Sequence, residues 1–252
     1  MKAEPVTKAS EIAEKVNEFA RNGGPFARKD SLWWRALKRE AEQVRDVEPG
    51  LGWATLGTLM AIAGDYEELV RCYTAAMPFS GAFPEIATNY MVNLSNLGYH
   101  SAVLALGAEV ARPERGFFST RGNLLVKSGG FVMAAQFLER AREMGLDVSN
   151  LSGPEIELAA FLLREAELSD WDVAKHLDLA GEMLRKRGHL FVKRPVVDVQ
   201  DVEGVFTGIT YTMMVRLPRS DVFEMNCALA QAEVEAGIKR HPYFDVTFSA
   251  TE

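Results

Sequence analysis

The side chains in this chain that are best suited to metal binding or proton transfer are four histidines. They are His100, His176, His189 and His241. Only His176 has carboxylates nearby on a predicted helix, because Asp172 lies four residues before it and Asp178 two residues after it. A metal site needs three or four converging ligands, and the chain has no Ser–His–Asp signature, phosphate-binding glycine loop or dinucleotide fingerprint. We therefore expect no metal, no cofactor, no catalytic residues and a protein that is not an enzyme.

A second hypothesis places a catalytic or ligand-binding site near the C-terminus. The predicted architecture changes there from helical to alternating, and His189, His241, Asp221 and Glu224 lie in that region. If the fold brought these four side chains around one deep pocket, the chain would be an enzyme or a ligand-binding regulator.

The charge of the chain argues against nucleic-acid binding. Its net charge is −7, from 35 acidic and 28 basic residues, whereas neutralising phosphates needs a basic face. The densest basic stretch is Arg185–Arg187, His189 and Lys193–Arg194, without interleaved aromatic residues. We interpret it as cations that complement the end of a helix dipole and protect an edge strand.

Neither a targeting signal nor a membrane span is predicted. Residues Met1–Pro5 have no apolar core. Residues 86–108 carry no Asp, Glu, Lys or Arg, but polar side chains and Gly98 interrupt them, so they predict two helices and a turn. Cys72 and Cys227 lie among apolar residues, which is typical of buried free thiols in a reducing compartment. We expect a cytoplasmic protein without membrane association.

The elements that would position a site are predicted most clearly between residues 50 and 83. Apolar residues at spacings of three and four form one stripe on each of two helices: Trp53, Leu56 and Met60, then Leu69, Tyr73 and Ala76. Gly57 lacks a Cβ and lets the second helix approach closely. Gly64-Asp65 predicts the turn between the helices, because glycine accepts the left-handed conformation that ends a helix.

The same turn signal recurs along the chain. Gly98 lies 34 residues after Gly64, and Gly129-Gly130 begins 31 residues after that. Further helices are predicted over 8–21, 31–47, 154–168 and 170–187. Together these give about five helical hairpins, and such units bury their apolar faces by stacking on one another.

This pattern resembles the tetratricopeptide repeat (TPR) family. The matching residues are Trp53, Leu56-Gly57, Gly64, Tyr66, Tyr73 and Ala76. The match is good over residues 50–83 and fair over 84–145. The resemblance implies a TPR-like α-solenoid of antiparallel helix hairpins over residues 1–188, with a partner bound in the inner groove.

The resemblance also implies which residues line that groove. Among them are Thr58, Asn89, Val92, Asn123 and Lys127. Most positions of the carboxylate clamp that some family members carry are not matched here, and only Asn89 fits. The resemblance therefore favours a peptide or protein held by shape and by amide hydrogen bonds.

Trp33-Trp34 is a second candidate contact for a partner. Adjacent helix positions point about 100° apart, so one ring, which we assign to Trp34, could anchor a partner at the surface. The alternative, which we favour, is that both rings pack against neighbouring helices.

Residues 189–252 predict a small α/β unit. Alternation over residues 205–217 indicates a strand, a weaker strand covers 191–199, a helix covers 221–236, and a last strand starts at Phe244. Such a small sheet needs cover from the preceding helices, which we favour, or from a second copy of the chain, which would make a homodimer. The leading hypothesis is thus a non-enzymatic protein–protein interaction module: an adaptor, chaperone, scaffold or inhibitor.

Overall fold

The structure is a computed structural model that describes residues 8–21, 24–110, 116–151, 153–202 and 206–251. Within them the chain is mostly helical, with a small three-stranded sheet near the C-terminus. The helices are α1 (Lys8–Arg21), α2 (Leu32–Val47), α3 (Pro49–Ile62), α4 (Tyr66–Ala76), α5 (Glu85–Asn96), α6 (His100–Glu109), α7 (Phe118–Lys127), α8 (Phe131–Glu143), α9 (Gly153–Glu165), α10 (Asp170–Lys186) and α11 (Arg219–Glu235). The strands are β1 (Val196–Val202), β2 (Phe206–Val215) and β3 (Phe244–Ala250). The predicted order of strand, strand, helix and strand is confirmed.

The described residues form two compact units. The first holds the described chain up to Leu97 together with Gly188–Val192. The second holds Gly98–Arg187 and the described chain from Lys193 onward. None of the helices in these residues is long and apolar enough to cross a membrane. The predicted division of the chain into domains 1–188 and 189–252 stays a prediction.

In the first unit, α3 is the central helix and contacts α1, α2, α4 and α5. Apolar residues lie on every side of α3, which is typical of a helix that is buried all round. A Cβ on Gly57 would lie 2.6 Å from the ring of Tyr73. The glycine therefore lets α3 and α4 approach closely, as its position predicted.

The segment Gly188–Val192 belongs to the first unit. The N–H of Phe191 donates to the carbonyl of Asn96 at 2.7 Å, and the Phe191 ring is buried. The strand predicted over residues 191–199 is therefore wrong in its first half. β1 begins only after Pro195, a residue without an N–H for a strand ladder.

In the second unit, α10 is the central helix and contacts α6, α8, α11 and β3. The predicted turn residues Gly98 and Gly129 have φ angles of 72° and 79°, so the two turns are confirmed. Each turn lies against α10, Gly98 against Gly181 and Gly129 against Val173. Both turns thus dock on the same helix.

Two carboxylates of α10 cap the helices that begin after these turns. Asp178 accepts hydrogen bonds from the N–H groups of His100 (2.5 Å) and Ser101 (3.1 Å) at the start of α6. Asp170 accepts from Val132 (2.9 Å) and Met133 (2.8 Å) at the start of α8. The first turn of a helix has N–H groups without partners in the helix, and here a different helix supplies the acceptors.

The sheet has the order β1–β2–β3, with β1 antiparallel and β3 parallel to β2. One face is buried, and its alternating residues in β2 are those predicted: Ile209, Tyr211, Met213 and Val215. Helix α9 contacts β1 and β2, and α10 contacts β3. The predicted cover by preceding helices is therefore confirmed, while a homodimer through this part of the chain stays a prediction.

Candidate functional site

Helices α1, α3 and α5 line a cavity of about 310 Å³ in the first unit. We call it the α1–α3–α5 groove. Its lining residues are Ala9, Ser10, Ile12, Ala13, Val16, Leu51, Ala54, Thr55, Thr58, Phe83, Glu85, Ile86 and Asn89. The volume lies at the small end of the range of ligand-binding clefts, which suits one or two apolar side chains.

Helical spacing explains why these residues face one space. On α3, Leu51, Thr55 and Thr58 follow one another at intervals of four and three residues, so they lie on one face. On α5, Glu85 and Asn89 are four residues apart and also share a face. The groove is therefore formed by one stripe from each helix.

A buried hydrogen-bond network supports the floor of the groove. The amide nitrogen of Asn93 lies 2.8 Å from the Tyr73 hydroxyl, 3.0 Å from the Thr58 hydroxyl and 2.9 Å from the carbonyl of Asn89, so its two N–H groups are shared among three acceptors. The Thr58 hydroxyl donates to the carbonyl of Ala54 at 3.1 Å, so at the 3.0 Å contact between the two hydroxyls Tyr73 is the donor. Burial raises the pKa of Tyr73, and the phenol remains protonated in this network.

The hydrogen-bond network determines which polar groups of the groove remain able to bond a ligand. The Thr58 hydroxyl donates to Ala54, accepts from Tyr73 and shares the N–H groups of Asn93 with two other acceptors, so it is engaged within the protein. The Thr55 hydroxyl likewise donates to the carbonyl of Leu51 at 2.7 Å. Both threonines consequently contribute mainly their methyl groups, and the middle of the groove is more apolar than its composition suggests.

The exposed amide of Asn89 is the polar group best placed to bind a ligand. Its side chain makes no hydrogen bond within the described part of the chain, while the amide nitrogen of Asn93 lies 2.9 Å from its backbone carbonyl. An amide can donate and accept at once, and these are the two functions that a peptide bond also presents. Asn89 can therefore pair with the main chain of an extended segment.

The structure brings together only part of the predicted groove set. Thr58 and Asn89 line the α1–α3–α5 groove, whereas Val92 is half-buried on α5 outside that lining. Asn123 and Lys127 belong to the second unit. The Asn123 amide donates to the carbonyl of Ser119 at 2.8 Å, so part of its bonding capacity is used within α7.

Lys127 differs most from its predicted environment. The sequence places it on an open groove face, but its side chain is 9% exposed, and burial lowers the pKa of its ammonium group to about 7. Its backbone carbonyl accepts a 2.5 Å hydrogen bond from the Tyr211 hydroxyl. Lys127 is thus packed in the second unit, where it does not present a charge to a partner.

The two tryptophans divide between core and surface. Trp34 is 5% exposed, and its indole N–H donates to the carbonyl of Leu59 at 3.3 Å. Trp34 therefore cannot serve as a surface anchor in this conformation, because its ring fills the space between α2 and α3. Trp33 is 37% exposed and stacks on Phe19 with the ring centroids 5.3 Å apart. Both tryptophan rings therefore pack against neighbouring helices, which is the alternative favoured from the sequence.

The carboxylates predicted beside His176 are used elsewhere. Asp172 accepts from the N–H and hydroxyl of Ser169 at the start of α10, and Asp178 caps α6. His176 instead pairs through Nδ1 with the buried carboxylate of Glu233 at 2.7 Å. Glu233 also accepts from Arg240 at 2.7 Å. We find no group of three or more ligands able to hold a metal among the described residues.

Two residues of the second hypothesis lie near opposite ends of α11. Asp221 lies in the first turn of α11, while Arg240, next to His241, pairs with Glu233 near the end of that helix. Twelve residues of helix separate Asp221 from Glu233, which is roughly 18 Å at 1.5 Å per residue. Glu224 is exposed, and His189 belongs to the other compact unit. A catalytic or ligand-binding site near the C-terminus stays a prediction.

Two residues of the basic stretch make contacts within the second unit. Arg185 donates to the carbonyl of Gly98 at 2.7 Å and stacks on the Tyr99 ring. Lys186 forms an ion pair with Glu182 in the last turns of α10.

Both cysteines are free, but Cys72 is buried and Cys227 is exposed. The prediction of a buried thiol is therefore wrong for Cys227, which lies on the outer face of α11.

Comparison of the chain with protein-family models, with curated proteins and with solved structures gives no match. The resemblance to tetratricopeptide repeats and the groove implied by it stay predictions.

Proposed function

We propose that this chain is a non-enzymatic interaction module, a TPR-like stack of helical hairpins that binds a peptide segment of a partner protein in the α1–α3–α5 groove. The observation that carries the proposal is the groove itself. Thr58 and Asn89, which the resemblance assigns to a binding surface, line one apolar cavity of about 310 Å³ with a free amide at its edge.

The proposed binding mode follows from this lining. An apolar side chain of the partner enters between α1 and α3, where Ile12, Leu51 and Ala54 and the threonine methyl groups receive it. Burying such a side chain is worth about 1.5–3 kcal/mol. The Asn89 amide bonds the neighbouring main chain and fixes its direction. The partner belongs to the cytoplasm with this chain, and neither a cofactor nor nucleic acid takes part.

Peptides selected from a random display library on the immobilised full chain test the proposal. Binding of a labelled selected peptide is measured by fluorescence anisotropy. Ala13 is exposed at the mouth of the groove, so Ala13→Trp fills the groove without disturbing the core and should weaken binding about tenfold or more. Asn89→Ala removes one hydrogen bond and should weaken binding about fivefold.

Ala236→Trp is the matched control, because Ala236 is also exposed but lies at the end of α11. It should leave the affinity unchanged. Selected peptides that bind the Ala13→Trp variant as tightly as the original chain would refute the groove as the binding site. An equal loss of peptide affinity in the Ala13→Trp and Ala236→Trp variants would also refute the groove as the binding site.

A further inference from the structure

Glu85 gives the groove a single charge at one end. Of the described residues that line the α1–α3–α5 groove, Glu85 alone is ionisable, and it lies in the first turn of α5. Its carboxylate is half-buried and makes no ion pair or hydrogen bond within the described part of the chain. The apolar groove therefore ends in a carboxylate that has no ion-pair partner in the described part of the chain.

Both lysines of α1 are already paired. Lys8 pairs with Glu11 at 3.1 Å and with Glu40 at 3.2 Å, and Lys15 pairs with Glu40 at 3.6 Å. Neither lysine lines the groove, and neither contributes to the charge of its lining. Glu85 is therefore the ionisable side chain that the described lining presents to a ligand.

We propose that the partner segment carries a lysine or arginine next to its apolar anchor, and that this cation pairs with Glu85; the inference rests on the function proposed above. The Asn89 amide, one helical turn from Glu85, bonds the main chain between the anchor and the cation. The net charge of −7 adds a long-range field that favours the approach of a basic segment.

The separation between the anchor pocket and Glu85 limits how far apart the apolar residue and the cation can lie in the partner's sequence. The anchor pocket lies between α1 and α3, and the polar end lies at the first two turns of α5. One extended residue spans about 3.3 Å, so the cation belongs within a few residues of the anchor. An acidic residue at the same place would face Glu85 and be rejected.

An array of immobilised octapeptides tests this specificity. Each peptide carries leucine or phenylalanine as the anchor, with lysine, glutamine or glutamate at neighbouring positions. The original chain should bind lysine peptides about fivefold more tightly than glutamine peptides at low salt, and the difference should shrink as salt rises. Glu85→Gln should abolish the preference, and Glu85→Lys should reverse it toward glutamate peptides.

Glu235→Gln serves as the control, because Glu235 is exposed on α11 far along the chain from the groove-lining helices; it should keep the lysine preference. Far-UV circular dichroism verifies that each variant is folded. A lysine preference that survives Glu85→Gln would overturn the inference. Binding that Ala13→Trp abolishes but that shows no charge preference would overturn it too, and leave the proposed function standing. Binding that Ala13→Trp does not affect would instead overturn the proposed function.

Discussion

Replacing Gly181 by alanine tests whether α10 and the turn before α6 are in backbone contact. A Cβ at this position would lie 2.8 Å from both the Cα and the carbonyl carbon of Gly98, and closer still to the carbonyl oxygen. Backbone atoms cannot rotate away as a side chain can. The helix must therefore retreat from the turn, which also lengthens the hydrogen bonds that the N–H groups of His100 and Ser101 donate to Asp178.

The expected magnitude is the balance of two effects. Alanine favours the helical state over glycine by about 1 kcal/mol. Forcing extra atoms into a packed contact costs about 1–3 kcal/mol or more, and a clash with backbone lies at the upper end. We therefore expect Gly181→Ala to lower the free energy of unfolding by about 2 kcal/mol.

Gly122→Ala is the matched control, because Gly122 also lies within a helix of the second unit. Its Cβ would meet Leu151 Cδ1 at 2.8 Å, which is the end of a flexible side chain. Its unfolding free energy should stay within about 1 kcal/mol of the original. Urea unfolding followed by far-UV circular dichroism measures both variants. A Gly181→Ala variant as stable as Gly122→Ala would contradict the backbone contact.

Three further predictions concern buried polar groups. Tyr73→Phe removes the buried hydroxyl that bonds Thr58 and Asn93 and should lower the unfolding free energy by about 1 kcal/mol in urea titrations. Burial lowers the pKa of Lys127 from 10.5 to about 7, so the unfolded chain binds more protons between these values. Stability should therefore rise with pH from about 7 to about 10, and Lys127→Met should remove that slope in unfolding curves measured across this range. Glu233→Gln removes the buried carboxylate that bonds His176 and Arg240 and should destabilise the chain by about 2 kcal/mol in thermal unfolding, whereas the exposed Glu235→Gln should change it little.

Local sequence signals were sufficient to predict the helices and their turns. Gly64, Gly98 and Gly129 all adopt the left-handed conformation that their position before a new helix indicated. The buried face of β2 also follows from alternation, since every second residue from Ile209 to Val215 is buried. These features are determined by residues that are close in sequence, so one sequence is enough to predict them.

Contacts between distant residues could not be predicted in this way. Asp170 and Asp178 look like ordinary helix residues, yet each caps the start of another helix. The family resemblance implied that Lys127 faces a groove, but Lys127 is buried, and the hydroxyl of Tyr211 on a later strand bonds its backbone carbonyl. A capping partner far away in sequence leaves no periodic signal, because only the fold brings the two residues together.

The candidate site was predicted in part for the same reason. The resemblance to the repeat family implied that Thr58 and Asn89 face a groove, and both line the α1–α3–α5 groove. It could not indicate that the Thr58 hydroxyl is engaged by Tyr73 and Asn93, since that depends on side-chain packing across three helices. Nor could it identify Glu85 as the charged end of the groove.

Two-dimensional ¹H–¹⁵N NMR titration of the full chain with a library-selected peptide tests the central claim most directly. We predict that the largest chemical-shift changes fall on the groove-lining stretches of α1, α3 and α5, with Asn89 side-chain amide signals among them. Shifts confined to the second unit, around Asn123 for example, with the resonances of α1, α3 and α5 unchanged, would contradict the account.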